Sequence, residues 1–475
     1  METSSAKPSV PQELRANTIG LPGVLFQSIT TMAPASAVSF SLGAAIAFTG
    51  SALPLAVIIA LVVCCLIALS IGSLAKHLPS AGGYFTYVGQ SLGLQAGWLT
   101  GWLFNLAYLL IVPFQLLVLG PVADSFVSGL FHVSLGWPFW TVAFALLIFA
   151  LTIFGIKISA DTGIVLGVIE IVVFVALSIW LIATSPNNTL AVFNPGSSLL
   201  PGLNGWQGVF FGMIFVLLAF AGFESSAPLA EEARNPRRTV PRAILLSALC
   251  IGIFYVFCSY AGVVGWGPAQ IAKYSADADP WGTMAKNVWG GFSFIVILAI
   301  LNSALANANA GVTASSRMLY AMGRTGALPK VLARLNNTRT PYVAIIFAMV
   351  IALVFSLLPG FIYGTTTAFA LLGTILTLPI ILVYMATCVS VPFFYRRRYP
   401  EEFNILRHVI VPLIPFVILL FVLYFQFVPL PAAPLNLAGP IVAVWLVVGI
   451  IIVAVLTRSA PHLLKESDSI TAEVE

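Results

Sequence analysis

The chain is 475 residues long, 60% hydrophobic and only 8% charged, with a formal net charge of +5. Soluble domains carry about 25% charged residues, so this composition excludes a water-soluble globular protein and requires a surface that faces lipid. The basic residues are confined to particular loops, so the positive balance gives no case for nucleic acid as a partner.

The first residues are polar up to Thr18 and show no signal-peptide pattern before the hydrophobic sequence begins. A membrane-crossing helix needs about 20 apolar residues. By that measure, spans are predicted over 20–49, 53–76, 94–127, 137–156, 159–184, 206–229, 242–266, 288–322, 342–358, 364–391, 408–428 and 436–457. The fold class is therefore an all-α integral membrane protein of about twelve transmembrane helices. The chain divides into an N-terminal tail (1–18), a core (19–391), two further helices (392–457) and a C-terminal tail (458–475).

Lys and Arg set the orientation. With the N-terminus inside, the inner segments hold Lys7, Arg15, Lys76, Lys157, Arg234, Arg237, Arg238, Arg242, Arg317, Arg324, Lys330, Arg334, Arg339, Arg396, Arg397, Arg398, Arg407, Arg458 and Lys465. The outer loops hold only Lys273 and Lys286. This one-sided bias predicts a multi-pass protein of the cell membrane with both termini cytoplasmic.

Two spans carry helix breakers near their middles. The first reads Ser28-Ile29-Thr30-Thr31-Met32-Ala33-Pro34-Ala35-Ser36. Proline removes a backbone donor and crowds the preceding turn. The sixth reads Ala221-Gly222-Phe223-Glu224-Ser225-Ser226-Ala227-Pro228. A lone intramembrane proline is most often a kink. Paired interruptions in spans one and six match two five-helix repeats that each begin with a broken helix, and such pairs point to a solute site at the midplane.

Two acids lie deep in predicted spans, Glu170 in the fifth and Glu224 in the sixth. A charge at the bilayer centre costs about 2.5–3.5 kcal/mol on insertion scales, so each is a functional candidate. Glu224 reads as a helix N-cap, as a ligand for a substrate amine or as a protonatable gate. Glu170, apolar on every side in sequence, reads as a neutral hydrogen-bonded carboxyl, a proton carrier or a cation ligand. The eighth span adds the polar residues Asn302, Ser303, Asn307 and Asn309, most simply interhelical glue, with Asn307 and Asn309 as further ion-coupling candidates. Gly93, Gly97 and Gly101 repeat at four-residue spacing, which predicts close helix packing. The five cysteines all fall in apolar runs and read as small hydrophobes.

Three segments together resemble the amino acid–polyamine–organocation transporters. They are Pro79-Ser80-Ala81-Gly82-Gly83-Tyr84; Gly222-Phe223-Glu224 followed by Ala230-Glu231-Glu232-Ala233-Arg234-Asn235-Pro236-Arg237-Arg238 and Pro241-Arg242-Ala243-Ile244; and Arg317-Met318-Leu319-Tyr320-Ala321-Met322-Gly323-Arg324-Thr325-Gly326-Ala327-Leu328-Pro329. The resemblance implies an inverted 5+5 repeat, here 19–184 and 206–391, followed by two helices. It implies secondary transport of amino acids by alternating access, driven by protons or by exchange, and it faces the eighth helix to the first and fifth, which puts Asn307 and Asn309 near Glu170. Sodium is kept as a second driving ion, and neither cofactor nor metal is expected. The alternative within the family is a polyamine or other organic amine. The resemblance places substrate at the two breaks, on Thr31, Met32, Ala33, Pro34, Ala35 and Ser36 and on Ala221, Gly222, Phe223, Glu224, Ser225 and Ser226. Two features depart from the family pattern. Many members have a glycine-rich first break, whereas Pro34 offers no N–H, as in some polyamine-type members. Several proton-coupled relatives have a lysine at the place of Glu170.

A membrane-embedded enzyme is the rival class. The chain has no HExxH and no Gly-Lys dipeptide, hence no P-loop, and His77, His132, His408 and His462 lie near span ends.

Overall fold

A computed structural model describes residues 19–79, 82–154, 160–196, 205–324, 328–336 and 340–459. Residues 1–18 and 460–475, with Lys7, Arg15 and Lys465, lie outside these residues, as do Ser80, Ala81, Lys157, Arg339 and the 325–327 part of the third family motif.

The described residues are helical, apart from turns and one isolated bridge between Ile19 and Ala233. Nine stretches among them are long and apolar enough to cross a membrane. Helix α1 (Leu21–Met32) is followed without a loop by α2 (34–49), which opens with Pro34–Ser36 and passes through a wide π-type turn over Ala37–Ser41. Next come α3 (Leu53–His77), the short α4 (Tyr84–Leu92) and α5 (Leu94–Phe131). Helices α6 (Trp137–Ile153) and α7 (Ala160–Thr184) complete the first half. The second half begins with α8 (Trp206–Phe220) and α9 (Pro236–Trp266), then two short helices, α10 (Ile271–Ala276) and α11 (Pro280–Trp289). After these come α12 (Phe294–Arg324), α13 (Tyr342–Tyr363), α14 (Thr365–Arg398), α15 (Val411–Phe425) and α16 (Ala438–Ser459).

The predicted spans fall on these helices, with differences at their ends that have local causes. Span six was expected to run to 229. Its helix stops at Phe220, and the chain then turns through Ala221–Ser226 into a 3-10 turn, Ala227–Glu231. Span eight was expected from 288, but α12 starts at Phe294 because Gly290, at φ 57, ends α11. Proline inside α5 (Pro113, Pro121) and inside α14 (Pro379, Pro392) leaves both helices continuous. Membrane helices tolerate such prolines where neighbours re-satisfy the freed carbonyls.

Packing separates the helices by exposure. Helix α3 packs along α9, and α5 lies against both α12 and α14. These contacts bury α5 and α14 almost throughout, whereas α13, α15 and α16 present rows of exposed Leu, Ile, Val and Phe such as Phe361, Phe421, Val444 and Ile451. Apolar side chains on the outside are what lipid contact requires. The glycine repeat has its expected role at Gly97, where an added Cβ would stand 2.6 Å from Gly89 Cα, so that α4 and α5 touch backbone to backbone. Cys64, Cys258 and Cys388 are buried and all five cysteines are free, but Cys250 is exposed on the apolar surface.

Candidate functional site

The first break is made at Ala33, which adopts the left-handed conformation at φ 48, ψ 65 and so ends α1. Pro34 is then the first residue of α2, a position where proline's fixed φ fits and its missing N–H would be unpaired anyway. The break leaves carbonyls at the end of α1 without helical partners. Asn307 Nδ2 donates to Thr31 O. Tyr255 Oη lies 3.0 Å from Met32 O and 2.9 Å from Ala219 O. Tyr255 therefore joins the last carbonyl of α1 to a carbonyl near the end of α8. At the start of α2, the first amide to close a backbone bond is Ala37 N–H to Ala33 O, at 2.8 Å. The amides before it point ahead of the helix, where the dipole favours a negative group.

The second break centres on Gly222, at φ 113. Its N–H donates to Glu224 Oε2 at 3.1 Å, and Tyr384 Oη donates to the same oxygen at 3.1 Å. Glu224 is 2% exposed, and its Oε1 is buried without a hydrogen-bond partner. The two breaks are tied together by further bonds: Ser225 Oγ to Thr31 Oγ1 at 2.9 Å and Ser226 N–H to Ser28 Oγ at 3.1 Å. Ser247 Oγ, on α9, lies 3.1 Å from Phe223 O.

Between the breaks lies a narrow cavity of about 40 Å³, partly open to solvent. Of the predicted residues, Thr31, Met32, Ala33, Ala221, Gly222, Glu224 and Asn307 line it. Pro34, Ala35, Ser36, Phe223, Ser225 and Ser226 are not among the lining residues. Ser36 Oγ donates to Gln115 Oε1 at 3.2 Å, and Gln115 is itself a wall residue.

Glu170 is apart from this cavity. It is 4% exposed, and its two oxygens accept from Asn302 Nδ2 at 3.1 Å and Ser303 Oγ at 3.2 Å. The neighbours expected from the sequence bond elsewhere: Asn307 reaches the first break, and Asn309 Oδ1 accepts from Thr152 Oγ1 at 3.1 Å. The donor pair on Glu170 is thus about one and a half turns nearer the start of α12.

Sequence reasoning missed Tyr108, Gln115, Tyr255 and Tyr384. Signals for two of them were present: Gln115 is an amide among apolar residues, and Tyr384 carries the first hydroxyl after Ile380-Ile381-Leu382-Val383. An intramembrane polar group needs a partner, but the sequence alone does not say which.

Two interrupted helices, held together around a cavity and a buried carboxylate within an all-helical apolar chain, are the form of a multi-pass membrane transporter. Comparison with known proteins gives the family. The amino acid permease model matches residues 23–464, and the chain belongs to that family, within the amino acid–polyamine–organocation superfamily, whose members are transporters and not enzymes. It is 26% identical over 371 residues to the branched-chain amino acid permease of Lactococcus lactis subsp. cremoris (strain MG1363), covering 74% of this chain and 76% of that one. It is 25% identical over 340 residues to the gamma-aminobutyric acid permease of Escherichia coli (strain K12), covering 69% and 71%. It is 27% identical over 354 residues to the low-affinity putrescine importer of the same strain, covering 72% and 74%.

Proposed function

We propose that the chain is a secondary active transporter that carries amino acids across the cell membrane by alternating access. The observation that carries this reading is the meeting of the two breaks at one cavity beside Glu224, whose Oε1 lacks a partner. A substrate ammonium is the natural partner for that oxygen. Thr31, Met32, Ala33, Pro34, Ala35 and Ser36, with Ala221 to Ser226, are the proposed substrate segments. Residues 19–184 and 206–391 are the proposed inverted repeats that rock against each other, with both chain ends on the basic, cytoplasmic side.

The proposed coupling group is Glu170, with a proton or sodium as the driving ion. Glu224 is the second candidate. Asn307 and Asn309 act in this reading through the bonds they make to the first break and to Thr152.

An organic amine is the second reading. Among the described residues lining the cavity, Glu224 is the one charged side chain, and the putrescine importer is among the relatives. Reconstitution into liposomes tests both readings. A transporter gives saturable uptake and counterflow of amino acids or amines. Unsaturable conduction, or no uptake of either class, would reject it.

A further inference from the structure

Away from the cavity, the basic face holds a cluster of polar and aromatic groups where α3 and α14 end and α15 begins. The chain leaving α14 turns through Pro400–Glu402 and enters α15 by a π-type turn over Leu406–Ile410. His408 closes that turn on Asn404 twice. Its backbone N–H donates to Asn404 O at 2.8 Å, and its Nδ1 accepts from Asn404 N–H at 3.0 Å. A backbone amide can only donate, so this Nδ1 carries no proton and the imidazole is neutral, with its hydrogen on Nε2. His408 is 6% exposed, and its ring lies flat on Tyr395 of α14, with centroids 3.6 Å apart and planes at 11°. Tyr395 Oη in turn donates to Ser73 O on α3, at 2.9 Å. One imidazole thus fastens the start of α15 to the end of α14 and, through Tyr395, to the end of α3.

Charged groups surround this fastening. Lys76 Nζ on α3 pairs with Glu402 Oε2 at 2.9 Å, and His77 Nε2 lies 3.4 Å from the same oxygen. Arg407 adjoins His408, and Arg237 of α9 acts on His77. The side chains of Lys76 and Glu402 are 53% and 46% exposed, and exposed ion pairs contribute little. The buried stack and the Asn404–His408 bond therefore hold the three helix ends. A proton on Nδ1 would set two N–H groups against each other and end that bond. Histidine is the side chain whose ordinary charge change falls between about pH 5 and 8. Resting on the transport reading above, we infer that His408 is a pH-sensitive fastening on the basic face: neutral, it holds the ends of α3 and α14 together, and protonated, it releases them. Helix α3 belongs to the first proposed repeat and α14 to the second. Rocking shifts their ends relative to each other, so release speeds turnover. This control is separate from Glu170, which lies on α7 against α12.

The test compares the purified full chain with two variants. His408→Asn keeps an acceptor oxygen at the place of Nδ1 and does not titrate. His408→Phe keeps a ring on Tyr395 and removes the acceptor. Hydrogen–deuterium exchange of the 400–412 segment is measured at about pH 5.5 and about pH 8, on either side of the imidazole range. Comparing the three proteins at one pH cancels the intrinsic effect of pH on amide exchange. At the higher pH, wild type should be as protected as His408→Asn. At the lower pH it should lose protection by about fivefold, the equilibrium effect of one ordinary hydrogen bond, and match His408→Phe. Transport is then read as equilibrium exchange of a labelled mixture of the standard L-amino acids and 1,4-diaminobutane in liposomes. The same pH is set on both sides, so no proton gradient acts. Wild type and Glu170→Gln should exchange faster at the lower pH by a similar factor. His408→Asn should be slow and His408→Phe fast at both. The inference is overturned, with the transport reading intact, if wild-type protection follows His408→Asn at both pH values. It is also overturned if His408→Asn speeds up on acidification as wild type does, or if Glu170→Gln abolishes the response. If none of the proteins exchanges any of these solutes at either pH, the transport reading falls and this inference with it.

Discussion

Gly222 is seated against Thr31: a Cβ built on Gly222 would stand 2.8 Å from Thr31 Cγ2 and 2.9 Å from the Thr31 carbonyl carbon. The two broken helices touch at this point, and a residue with φ 113 and no side chain permits it. Gly222→Ala should cost about 1–3 kcal/mol in backbone strain alone, with the clash in addition. Gly222→Val adds a branched side chain to the same space. Uptake should fall about tenfold or more for alanine and further for valine, in protein that still inserts and purifies as a monodisperse species. Wild-type uptake affinity in Gly222→Val would show that the close contact is dispensable.

Tyr255 ties the breaks from behind the cavity. Its single hydroxyl proton serves Met32 O and Ala219 O, both in buried backbone. Tyr255→Phe keeps the ring against Phe220, whose centroid is 5.3 Å away, and deletes only the donor. An orphaned buried carbonyl costs about 1–3 kcal/mol. Denaturant unfolding of the purified variant should show a loss of that size. An unchanged unfolding midpoint would mean that the carbonyls find another donor.

How far this site was legible in the sequence depends on the kind of signal each residue gives. Pro34 and Gly222 announce themselves, because proline and glycine in an apolar run are local breakers of helix geometry. The residue that turns the first break, Ala33, does not, since alanine is among the best helix formers and its left-handed conformation is imposed by tertiary contacts. Partners are harder still. Tyr255 lies 223 residues from Met32 in sequence, and Tyr384 lies 160 from Glu224. Glu170 was expected beside Asn307 and Asn309, but it bonds Asn302 and Ser303. One sequence fixes which residues share a helix face but not how far two helices slide past each other.

Pro34 stands at the start of α2, one residue after the turn that makes the break. Pro34→Leu supplies the missing N–H and removes the ring that crowds the preceding turn, so α1 and α2 can approach one continuous helix. A regular helix would draw the Thr31 and Met32 carbonyls into intrahelical bonds and away from Asn307 and Tyr255. Transport should drop while expression and insertion stay near wild type. Uptake at the wild-type rate would reduce Pro34 to an ordinary helix-start proline whose identity is unimportant once Ala33 has turned the chain.

Glu170 provides the test of coupling. Its carboxyl sits on α7 with both oxygens facing donors on α12, Asn302 Nδ2 and Ser303 Oγ. Glu170→Gln preserves this geometry: the amide oxygen accepts from Asn302, and the amide nitrogen donates to Ser303 once that hydroxyl rotates to accept. What the substitution removes is the ability to gain and lose a proton or to hold a cation. The helix contact therefore survives, and any change in transport reports on charge and not on packing. Substrate binding should remain within a few-fold of wild type, and exchange of internal for external substrate should persist. Accumulation against a gradient, and the response of uptake to an imposed proton or sodium gradient, should be lost. The measurement is uptake into liposomes with each gradient imposed in turn, for wild type and variant side by side. If Glu170→Gln accumulates substrate with unchanged gradient dependence, Glu170 is a structural carboxyl. The coupling role then passes to Glu224, whose Oε1 has no hydrogen-bond partner and whose own substitution to Gln becomes the next variant to measure.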